Sequence, residues 1–341
     1  MKKMNVAIVG ATGAVGTKIL EKLLERDFPV ASIKLLASKR SAGTEITAGG
    51  YNYIVEETVP ESFAGIDIAF FSAGGAISEK FAHEAVKRGA VVIDNTSAFR
   101  MIKEIPLVVP EVNTEALSGH TGIIANPNCS TIQMVTALQP IREKFGLNRI
   151  IVSTYQAVSG AGSEAIDELE NQSVQFENRS KTEATILPSA SAERHYPIAF
   201  NAIPQIDAFD PSGYTLEELK MINETKKIFN DQKLAVSATC VRLPVVTGHS
   251  ESVYIEIGKD GVSVKELHAL LENAPGVVVQ DDPSKQLYPM PLFAEGKDEV
   301  FVGRIRKDPN HPSGFHLWIV SDNLLKGAAL NSVQIAETLI N

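Results

Sequence analysis

Short apolar runs alternate with helix-like segments in the first third of the chain. Residues 5–9 form an apolar run that ends at Gly10, and residues 14–26 carry apolar side chains at helical spacing. The same alternation continues to residue 125. The strands that it predicts are 5–9, 33–37, 66–72, 91–94 and 122–125, and the helices are 14–26 and 79–88. This alternation favours a doubly wound α/β domain built on a buried parallel sheet.

The pattern changes after Cys129. Apolar residues at helical spacing predict a helix over 132–145, and the segments that follow it are richer in strands. The strands predicted there are 149–158, 236–242, 252–257, 300–306 and 315–320. A turn at 309–314 joins two of them as a hairpin, which favours a mixed, largely antiparallel sheet. We therefore predict two domains, a first of residues 1–128 and a second α+β domain of residues 129–322.

Two segments lie outside this regular pattern. Residues 171–194 are polar and weakly periodic, which predicts a mobile loop or an interface segment. Residues 323–341 form a predicted helix whose apolar stripe must be covered by another surface. We expect this last helix to pack back on the first domain.

Composition and charge exclude several classes of protein. The 341 residues are 44% hydrophobic and 21% charged, as in globular proteins, and the formal net charge is −9 without a block of Lys and Arg. Nucleic acid is therefore excluded as an expected partner. No apolar stretch has the ~18 residues of a membrane span, so no membrane association is expected. Two cysteines are too few for a disulfide framework, which indicates a reducing compartment and predicts a cytoplasmic protein.

A glycine-rich loop lies between the first predicted strand and helix. Its spacing is G-x-x-G-x-x-G, and its residues are Gly10, Thr12, Gly13, Ala14, Val15 and Gly16 with Ala11. Glycines let the backbone approach a pyrophosphate, and the N–H groups at a helix start favour its negative charge. The loop therefore predicts a dinucleotide site in a Rossmann-type domain. A tight strand-to-helix turn with packing glycines is the alternative.

The turn after the second strand indicates which dinucleotide binds. A carboxylate at this place bonds the ribose 2′-hydroxyl of NAD, but the turn has no acid and contains Ser38, Lys39, Arg40 and Ser41. A cation and hydroxyl groups suit a 2′-phosphate, with Arg40 and Ser41 as the expected contacts. The predicted cofactor is therefore NADP(H). A solvated surface loop is the alternative.

Cys129 and Cys240 occupy different positions in the pattern. Cys129 lies at the start of the predicted helix, where N–H groups and the helix dipole favour a thiolate and can also stabilise an oxyanion. Cys240 lies within an alternating strand, which is typical of a buried filler residue. We therefore predict that Cys129 is a nucleophile. Beside a nicotinamide site, a thiolate indicates redox chemistry between aldehyde and acyl levels.

Such chemistry needs an acid or base, and seven histidines are available. His268 lies within an amphipathic helix and His311 within a turn. His249 lies in a short Gly-containing break between strands, where functional side chains are often presented. His249 is therefore the candidate acid/base. Cys129 and His249 suit nucleophile and base better than a two-ligand metal site, so no metal centre is predicted.

Together these residues carry a family resemblance over the whole chain. The similar motifs are 10–16, 127–131 (Pro-Asn-Cys-Ser-Thr), 152–162, 241–244, 248–250 and 321–325, in the same order and spacing. The chain resembles the aspartate-β-semialdehyde dehydrogenases, in the bacterial branch that includes the Gram-positive enzymes. The resemblance implies NADPH-dependent reductive dephosphorylation of L-aspartyl 4-phosphate to L-aspartate 4-semialdehyde. That reaction supplies lysine, diaminopimelate, methionine and threonine biosynthesis.

The resemblance also implies roles for individual residues. Cys129 becomes the thioester nucleophile, His249 the acid/base, and Gln156 the residue that positions the acyl intermediate. The implied substrate contacts are Arg242 to the α-carboxylate, Glu218 to the ammonium, Arg100 and Lys220 to the phosphate, and Asn128 beside the nucleophile. Ser159, Gly160 and Asn323 match further cofactor contacts. A homodimer built on the second domain is implied as well.

Two other functions remain open. N-acetyl-γ-glutamyl-phosphate reductase uses the same thioester chemistry, but its substrate has an acylated amine that needs no carboxylate partner. A non-catalytic NADP(H)-binding thiol sensor would use Cys129 only as an oxidisable thiol. A sensor needs no residues that bind a carboxylate or a phosphate. The sensor is therefore disfavoured by the presence of Arg242, His249, Arg100 and Lys220.

Overall fold

A computed structural model describes residues 2–175 and 182–340. The chain separates into two compact units. The first comprises Met1–Asn128 and Gly327–Asn341, and the second comprises Cys129–Lys326. In the described ranges, no helix has the length and hydropathy of a membrane span.

The first unit contains a seven-stranded sheet. Its strands are β1 (Met4–Val9), β2 (Val30–Ala37), β3 (Glu45–Ala48), β4 (Tyr51–Glu57), β5 (Ile68–Phe71), β6 (Val91–Asp94) and β7 (Ile123–Ala125). The strand order is β3-β4-β2-β1-β5-β6-β7, and every pair is parallel except β3 with β4. The helices are α1 (Ala14–Glu25), α2 (Gly75–Lys87) and α3 (Pro110–Asn113), with the C-terminal α9 (Leu330–Ile340). The predicted Rossmann-type domain is thus confirmed.

The core of this unit is formed by the buried strands of the sheet and by the apolar face of α1. Strand residues such as Val6 and Phe70 are fully buried because the parallel sheet is covered on both faces. Leu20 and Leu23 of α1 pack into the same cluster. The antiparallel β3–β4 hairpin was not predicted, because β3 and β4 show exposed and half-buried positions without a clear apolar alternation.

The C-terminal segment belongs to this unit. Its helix α9 starts at residue 330, later than the predicted start at 323, because a wider π-helical turn covers Leu325–Ala329. Val333 and Ile335 are buried in the core cluster that also contains α1 residues. The apolar stripe predicted for this segment is therefore covered within the unit.

The second unit is built on a six-stranded mixed sheet. Its strands are β8 (Leu147–Gln156), β9 (Ala235–Arg242), β10 (His249–Ile257), β11 (Val277–Val279), β12 (Val300–Lys307) and β13 (Gly314–Ser321). The order is β11-β12-β13-β10-β8-β9; the two outer pairs are parallel and the three inner pairs antiparallel. The predicted mixed sheet is confirmed. The helices are α4 (Cys129–Phe145), α5 (Ser163–Val174), α6 (Leu216–Ile228), α7 (Val264–Leu271) and α8 (Pro291–Ala294).

One face of this sheet is covered within the unit. Helix α4 packs on β10 and β13, and α6 packs on β9. Side chains alternate along a strand, so residues such as Thr154 and Val253 face these helices and are fully buried. Ile151, which points to the opposite face, is 43% exposed.

Helix α5 extends into the segment 171–194, which the sequence predicted to be a mobile loop or an interface segment. The last turn of α5 includes residues 171–174, where the sequence predicted a loop, because Leu169 and Ala165 of the same helix pack into a small apolar cluster. Residues 176–181 lie outside the described residues.

Candidate active site

The two cysteines differ in their surroundings. Cys129 is the first residue of α4 and is partly exposed, so its sulfur lies at the positive end of the helix dipole. Cys240 is fully buried within β9. Burial, with a smaller contribution from Glu217, raises the pKa of the Cys240 thiol well above its ordinary value. Cys240 therefore remains a protonated thiol, and Cys129 is the cysteine suited to react.

The sheet register brings a row of polar side chains together beside α4. Gln156 pairs with Arg242 in the parallel β8–β9 ladder, and His249 pairs with Ser321 in the β10–β13 ladder. Ser250 pairs with Tyr155, so one step further along the antiparallel register His249 stands next to Gln156. Four strand ends thus contribute to one row.

Helix α4 is tied to this row by Gln133. Its amide nitrogen donates to the His249 carbonyl at 3.4 Å, and its amide oxygen accepts from the Ser321 hydroxyl at 2.7 Å. Cys129 lies four residues before Gln133 and therefore on the same face of α4. Cys129 therefore lies on the side of α4 from which Gln133 contacts the row.

His249 is held in one tautomer. The backbone N–H of Ala157 donates to Nδ1 at 3.0 Å, so the proton of the neutral ring is on Nε2. Among residues 2–175 and 182–340, no group hydrogen-bonds to Nε2. Burial, and then the charge of Arg242, lower the pKa of His249 to about 3. At neutral pH the buried ring is a neutral donor through Nε2–H.

Gly160 lies against His249 and Arg242. A Cβ atom at this position would lie 3.1 Å from Arg242 Nη1 and 3.3 Å from His249 Nε2. These two side chains therefore face a common space that is bounded by the Gly160 backbone. Any larger residue at position 160 would enter that space.

Arg242 is the buried cation of the row. It is 3% exposed, and its Nη1 donates to the Ala157 carbonyl at 2.6 Å. Burial lowers the pKa of Arg242, whereas negative charge on Glu217 and Cys129 raises it. The guanidinium and a Cys129 thiolate therefore stabilise each other's charged forms.

Gln156 connects the sheet to α6. Its Oε1 accepts from the Thr154 hydroxyl at 3.0 Å, and its Nε2 donates to Glu217 Oε1 at 3.1 Å. Lys220 then donates to Glu217 Oε2 at 3.2 Å and to Asp207 at 3.0 Å. The amide, the carboxylate and the ammonium form one continuous polar chain.

Glu218, the expected partner of the substrate ammonium, is bound to backbone groups in this structure. Its Oε2 accepts from the backbone N–H of Thr215 at 2.7 Å in a capping box, and its Oε1 accepts from the backbone N–H of Cys240 at 3.0 Å. Both oxygens thus bind backbone donors. Glu217, one residue earlier on α6, is the carboxylate that faces Gln156 and adjoins Arg242 and His249.

The sequence pattern does not separate Glu217 from Glu218. One residue on a helix is a rotation of ~100°, so two adjacent acids face different directions. The run 217–220 looked like a solvated helix face, yet both Glu217 and Glu218 are buried. The signal that distinguishes them is Thr215, because Thr followed three residues later by Glu is a capping box.

Ser159 and Asn323 are hydrogen-bonded to each other. The Asn323 amide nitrogen donates to the Ser159 hydroxyl at 3.0 Å, and the Asn323 amide oxygen accepts from the Gly248 N–H at 2.9 Å. Both side chains are buried. The contacts hold the turn that contains Gly160 beside the residue that precedes His249.

The glycine-rich loop lies in the first unit, between β1 and α1. Gly10 has φ +88°, and a Cβ there would lie 2.9 Å from the Ala73 nitrogen. A Cβ on Gly16 would collide with the Gly10 carbonyl. Gly13 precedes α1 without a side-chain cap. The first turn of α1, with Thr12, Ala14 and Val15 around it, therefore offers a close backbone cradle for an anion.

The turn that carries Ser38, Arg40 and Ser41 directly follows β2. The N–H groups of Gly10 and Ala11 donate to the Leu36 carbonyl, so the glycine-rich loop lies beside the end of β2. Ser38 and Arg40 are exposed, and the two serine hydroxyls are 3.5 Å apart. The first unit thus brings both predicted cofactor segments together.

Arg100 and Asn128 also belong to the first unit. Arg100 is 8% exposed and donates to the Asn95 carbonyl at 2.7 Å. Asn128 is 6% exposed and directly precedes α4. No group of three or more potential metal ligands occurs among the described residues.

Two family models match the chain. The model for the semialdehyde dehydrogenase NAD-binding domain matches residues 5–120, and that for the semialdehyde dehydrogenase dimerisation domain matches residues 138–326. Aspartate-semialdehyde dehydrogenase of Bacillus subtilis is 63% identical over 336 residues, which cover 98% of this chain and 97% of that protein. The Aquifex aeolicus enzyme is 55% identical, with 98% and 97% covered.

Solved structures agree with these matches. A crystal structure of aspartate semialdehyde dehydrogenase II from Vibrio cholerae, complexed with ASA, has a TM-score of 0.94 and 48% identity, with 100% of this chain and 99% of that chain covered. The Candida albicans aspartate semialdehyde dehydrogenase with NADP has a TM-score of 0.77 and 26% identity, with 99% of each chain covered. The resemblance found in the motifs is thus confirmed: the chain belongs to the aspartate-semialdehyde dehydrogenase family.

Proposed function

We propose that this chain catalyses the NADPH-dependent reductive dephosphorylation of L-aspartyl 4-phosphate to L-aspartate 4-semialdehyde and phosphate. The observation that carries the proposal is Cys129 at the start of α4, with Arg242 close enough to interact electrostatically with its thiolate. The identity of 63% to the B. subtilis enzyme supports it. The reaction supplies lysine, diaminopimelate, methionine and threonine biosynthesis.

Cys129 forms the covalent intermediate. Its thiolate attacks the acyl carbon of aspartyl phosphate, so that a C–S bond forms, the C–O bond to phosphate breaks, and phosphate leaves. The chemistry that NADPH would supply when bound is a hydride to this thioester carbon, which would bring the carbon to the aldehyde level. The C–S bond then breaks, and Cys129 is released as the thiolate that the helix dipole and Arg242 stabilise.

His249 stabilises the negative charge that develops on the acyl oxygen by a hydrogen bond from Nε2–H. It does not transfer this proton, because a neutral imidazole that lost it would become an anion. Its Nε2–H faces the space beside Gly160 and has no protein partner among the described residues, so it is positioned to donate where negative charge develops. The Ala157 N–H holds the other ring nitrogen and fixes this orientation. The low pKa keeps the ring neutral, so it begins each turnover as a donor without carrying a net charge.

The substrate zwitterion is held by opposite charges. Arg242 pairs with the α-carboxylate, a task that suits a planar two-pronged donor. Glu217 replaces Glu218 as the partner of the ammonium, because Glu217 is the acid that faces Gln156 and Arg242. Gln156 positions the acyl group between them. The proposed contacts to the phosphate are Lys220 and Arg100. Asn128 is the proposed substrate contact beside the nucleophile.

The residues of the first unit fit NADP(H). The uncapped start of α1 and the Gly10–Gly16 cradle suit the pyrophosphate, and an exposed turn with Arg40, Ser38 and Ser41 and no acid suits a 2′-phosphate. Ser159, Gly160 and Asn323 stay predicted cofactor contacts, as the family resemblance implies. The relative from Candida albicans is described with NADP, which supports this choice.

The two alternatives are not favoured. The family models and relatives are semialdehyde dehydrogenases, and Glu217 offers a buried carboxylate for a free ammonium that N-acetylated substrates lack. A thiol sensor would have no use for Arg242 and His249 around one space.

The proposed assembly is a homodimer, with the second unit as its interface. Residues 138–326 match a dimerisation domain, and the sheet face that bears Ile151 is less buried than the face that bears α4 and α6. The proposed location is the cytoplasm, because the two cysteines are too few for a disulfide framework and are both free, which fits a reducing compartment.

The test is a spectrophotometric assay of the purified protein in the oxidative direction. Aspartate semialdehyde, phosphate and NADP are mixed, and NADPH formation is followed. We expect a rate that depends on phosphate and falls when NAD replaces NADP. A rate of zero in the presence of phosphate would refute the proposed reaction, and an equal rate with N-acetylglutamate semialdehyde would favour the reductase alternative.

A further inference from the structure

Thr154 is a fully buried hydroxyl residue without an assigned role. It lies on β8 two residues before Gln156, so the two side chains are on the same face of the sheet. Its Oγ1 is 3.0 Å from Gln156 Oε1. In the β8–β9 ladder it pairs with Cys240, which is the row directly beneath Gln156 and Arg242.

The hydrogen bonds of Gln156 fix which end of its amide faces which neighbour. Glu217 can only accept, so the nitrogen of the amide must face it, at 3.1 Å. The amide oxygen is then directed at Thr154, whose hydroxyl must donate. A reversed amide would place its oxygen against a carboxylate in a buried site, which is unfavourable.

The two contacts hold the amide from opposite sides. Glu217 lies on α6 and Thr154 on the sheet. Thr154 is β-branched and lies in the middle of three paired strands, so its hydroxyl has little freedom to move. Glu217 is also bound to Lys220, and its position depends on α6. Thr154 is therefore the rigid contact of the pair.

We propose that Thr154 is a positioning residue that holds the Gln156 amide in the orientation required for turnover. It acts through Gln156 and does not touch the substrate. The inference rests on the proposed function, in which Gln156 positions the acyl group. Removing the hydroxyl lets the amide rotate, and a misplaced acyl carbon reacts more slowly even when the substrate binds.

The test compares variants that remove or keep this hydroxyl. Thr154→Val keeps the shape and removes the donor, and Thr154→Ala removes it without a new methyl group beside the amide. We expect each to lower kcat about tenfold, the effect of one buried hydrogen bond, with the KM for NADP unchanged. Thr154→Ser keeps the donor and should restore kcat to within about threefold of wild type. Thr225→Val is the control, because Thr225 is equally buried and its hydroxyl donates to the Met221 carbonyl of its own helix.

A double-mutant cycle distinguishes positioning from general damage to the fold. In a Gln156→Ala background, Thr154→Val should have less than about a twofold further effect on kcat/KM, because the residue through which it acts is gone. An equal loss in both backgrounds, a kcat near wild type for Thr154→Val and Thr154→Ala, or a Thr154→Ser variant as slow as Thr154→Val would each overturn the inference. Absence of phosphate-dependent turnover in the wild-type protein would refute the proposed function instead.

Discussion

Glu217 and Glu218 are adjacent on α6 and have different hydrogen-bond partners, because one residue of helical rotation turns them in different directions. Glu217 contacts Gln156 and Lys220, whereas both oxygens of Glu218 accept backbone N–H groups. Their positions in the sequence do not show which of the two acids reaches Gln156; the hydrogen bonds of each side chain do.

Glu217→Gln should lower activity and leave the fold intact, whereas Glu218→Gln should lower stability and leave activity nearly unchanged. Glu217→Gln removes the charge that faces the proposed substrate ammonium, so we expect kcat/KM for aspartate semialdehyde to fall about 100-fold, equivalent to ~3 kcal/mol, with the fold intact. Glu218→Gln weakens the capping box and the bond to Cys240, so we expect near wild-type kinetics and a stability lower by ~1 kcal/mol. Steady-state kinetics and urea unfolding measure both. The reverse pattern would restore Glu218 as the ammonium partner.

Cys129→Ser should abolish turnover while NADP(H) binding remains. A hydroxyl at the start of α4 is a far weaker nucleophile than a thiolate at neutral pH. Cys240→Ser is the matched control, and we expect it to retain most activity because the buried Cys240 thiol is protonated. Activity assays and NADPH fluorescence titration follow the two properties. Equal losses for the two variants would argue against Cys129 as the nucleophile.

Arg40→Ala should raise the KM for NADP far more than that for NAD. Arg40 is exposed in the turn after β2, where no acid is present to bind a 2′-hydroxyl. Losing a charged contact to phosphate costs ~1.5–3 kcal/mol, so we expect an increase of about 10- to 100-fold for NADP and less than about twofold for NAD. Lys39→Ala serves as a control with the same change of charge. A parallel change for both cofactors would exclude Arg40 as the phosphate contact.

At the scale of elements, the strand ends and the turns after them carry most of the candidate site. Gln156 ends β8, Arg242 ends β9 and His249 begins β10. The short 3-10 turn Val158–Ala161 follows β8 and brings Gly160 against two of these side chains. A backbone turn, and not a side chain, bounds the reactive space on this side.

Gly160→Ala should therefore lower kcat/KM without unfolding the protein. The new methyl group would lie 3.1 Å from Arg242 Nη1 and 3.3 Å from His249 Nε2, so both side chains must shift by a few tenths of an ångström. Misplacement of this kind is costly at a reacting centre, and we expect a loss of about 10- to 100-fold. Gly119→Ala is the control, because a Cβ there meets nothing within 4 Å. Unchanged kinetics for Gly160→Ala would show that these side chains need no such space.

At the scale of the whole molecule, the second unit buries ionisable groups in the middle of its sheet. Glu251 is fully buried on β10 between β8 and β13, and this burial raises its pKa well above the ordinary value. The folded state therefore binds this proton more tightly than the unfolded state. Stability that is present below about pH 4.5, the unfolded pKa, is lost as the pH rises toward the folded pKa.

Glu251→Gln should remove that loss because glutamine does not ionise. We expect the urea midpoint of the variant to exceed that of the wild type at pH 8 and to change less between pH 5 and pH 8. Glu170→Gln, an exposed substitution on α5, should leave the pH dependence unchanged. If Glu251→Gln keeps the wild-type pH dependence, Glu251 is not the group responsible.

The sequence by itself determined the features that depend on local pattern. The alternation of apolar segments predicted most strands of both sheets, and the order Gly10–Gly16, Cys129 and His249 predicted the family, because these motifs lie within single turns or helix starts. The turn after β2 predicted the cofactor in the same way.

Only the tertiary structure decided which side chains meet across elements. Glu217 rather than Glu218 reaches Gln156 because α6 packs on β9 in one rotation, and Thr154 reaches Gln156 because β8 turns both to the covered face. The neutral tautomer of His249 depends on the Ala157 backbone, 92 residues away. The physical reason is the same in each case: a contact between distant segments is set by packing and register, which no local pattern contains.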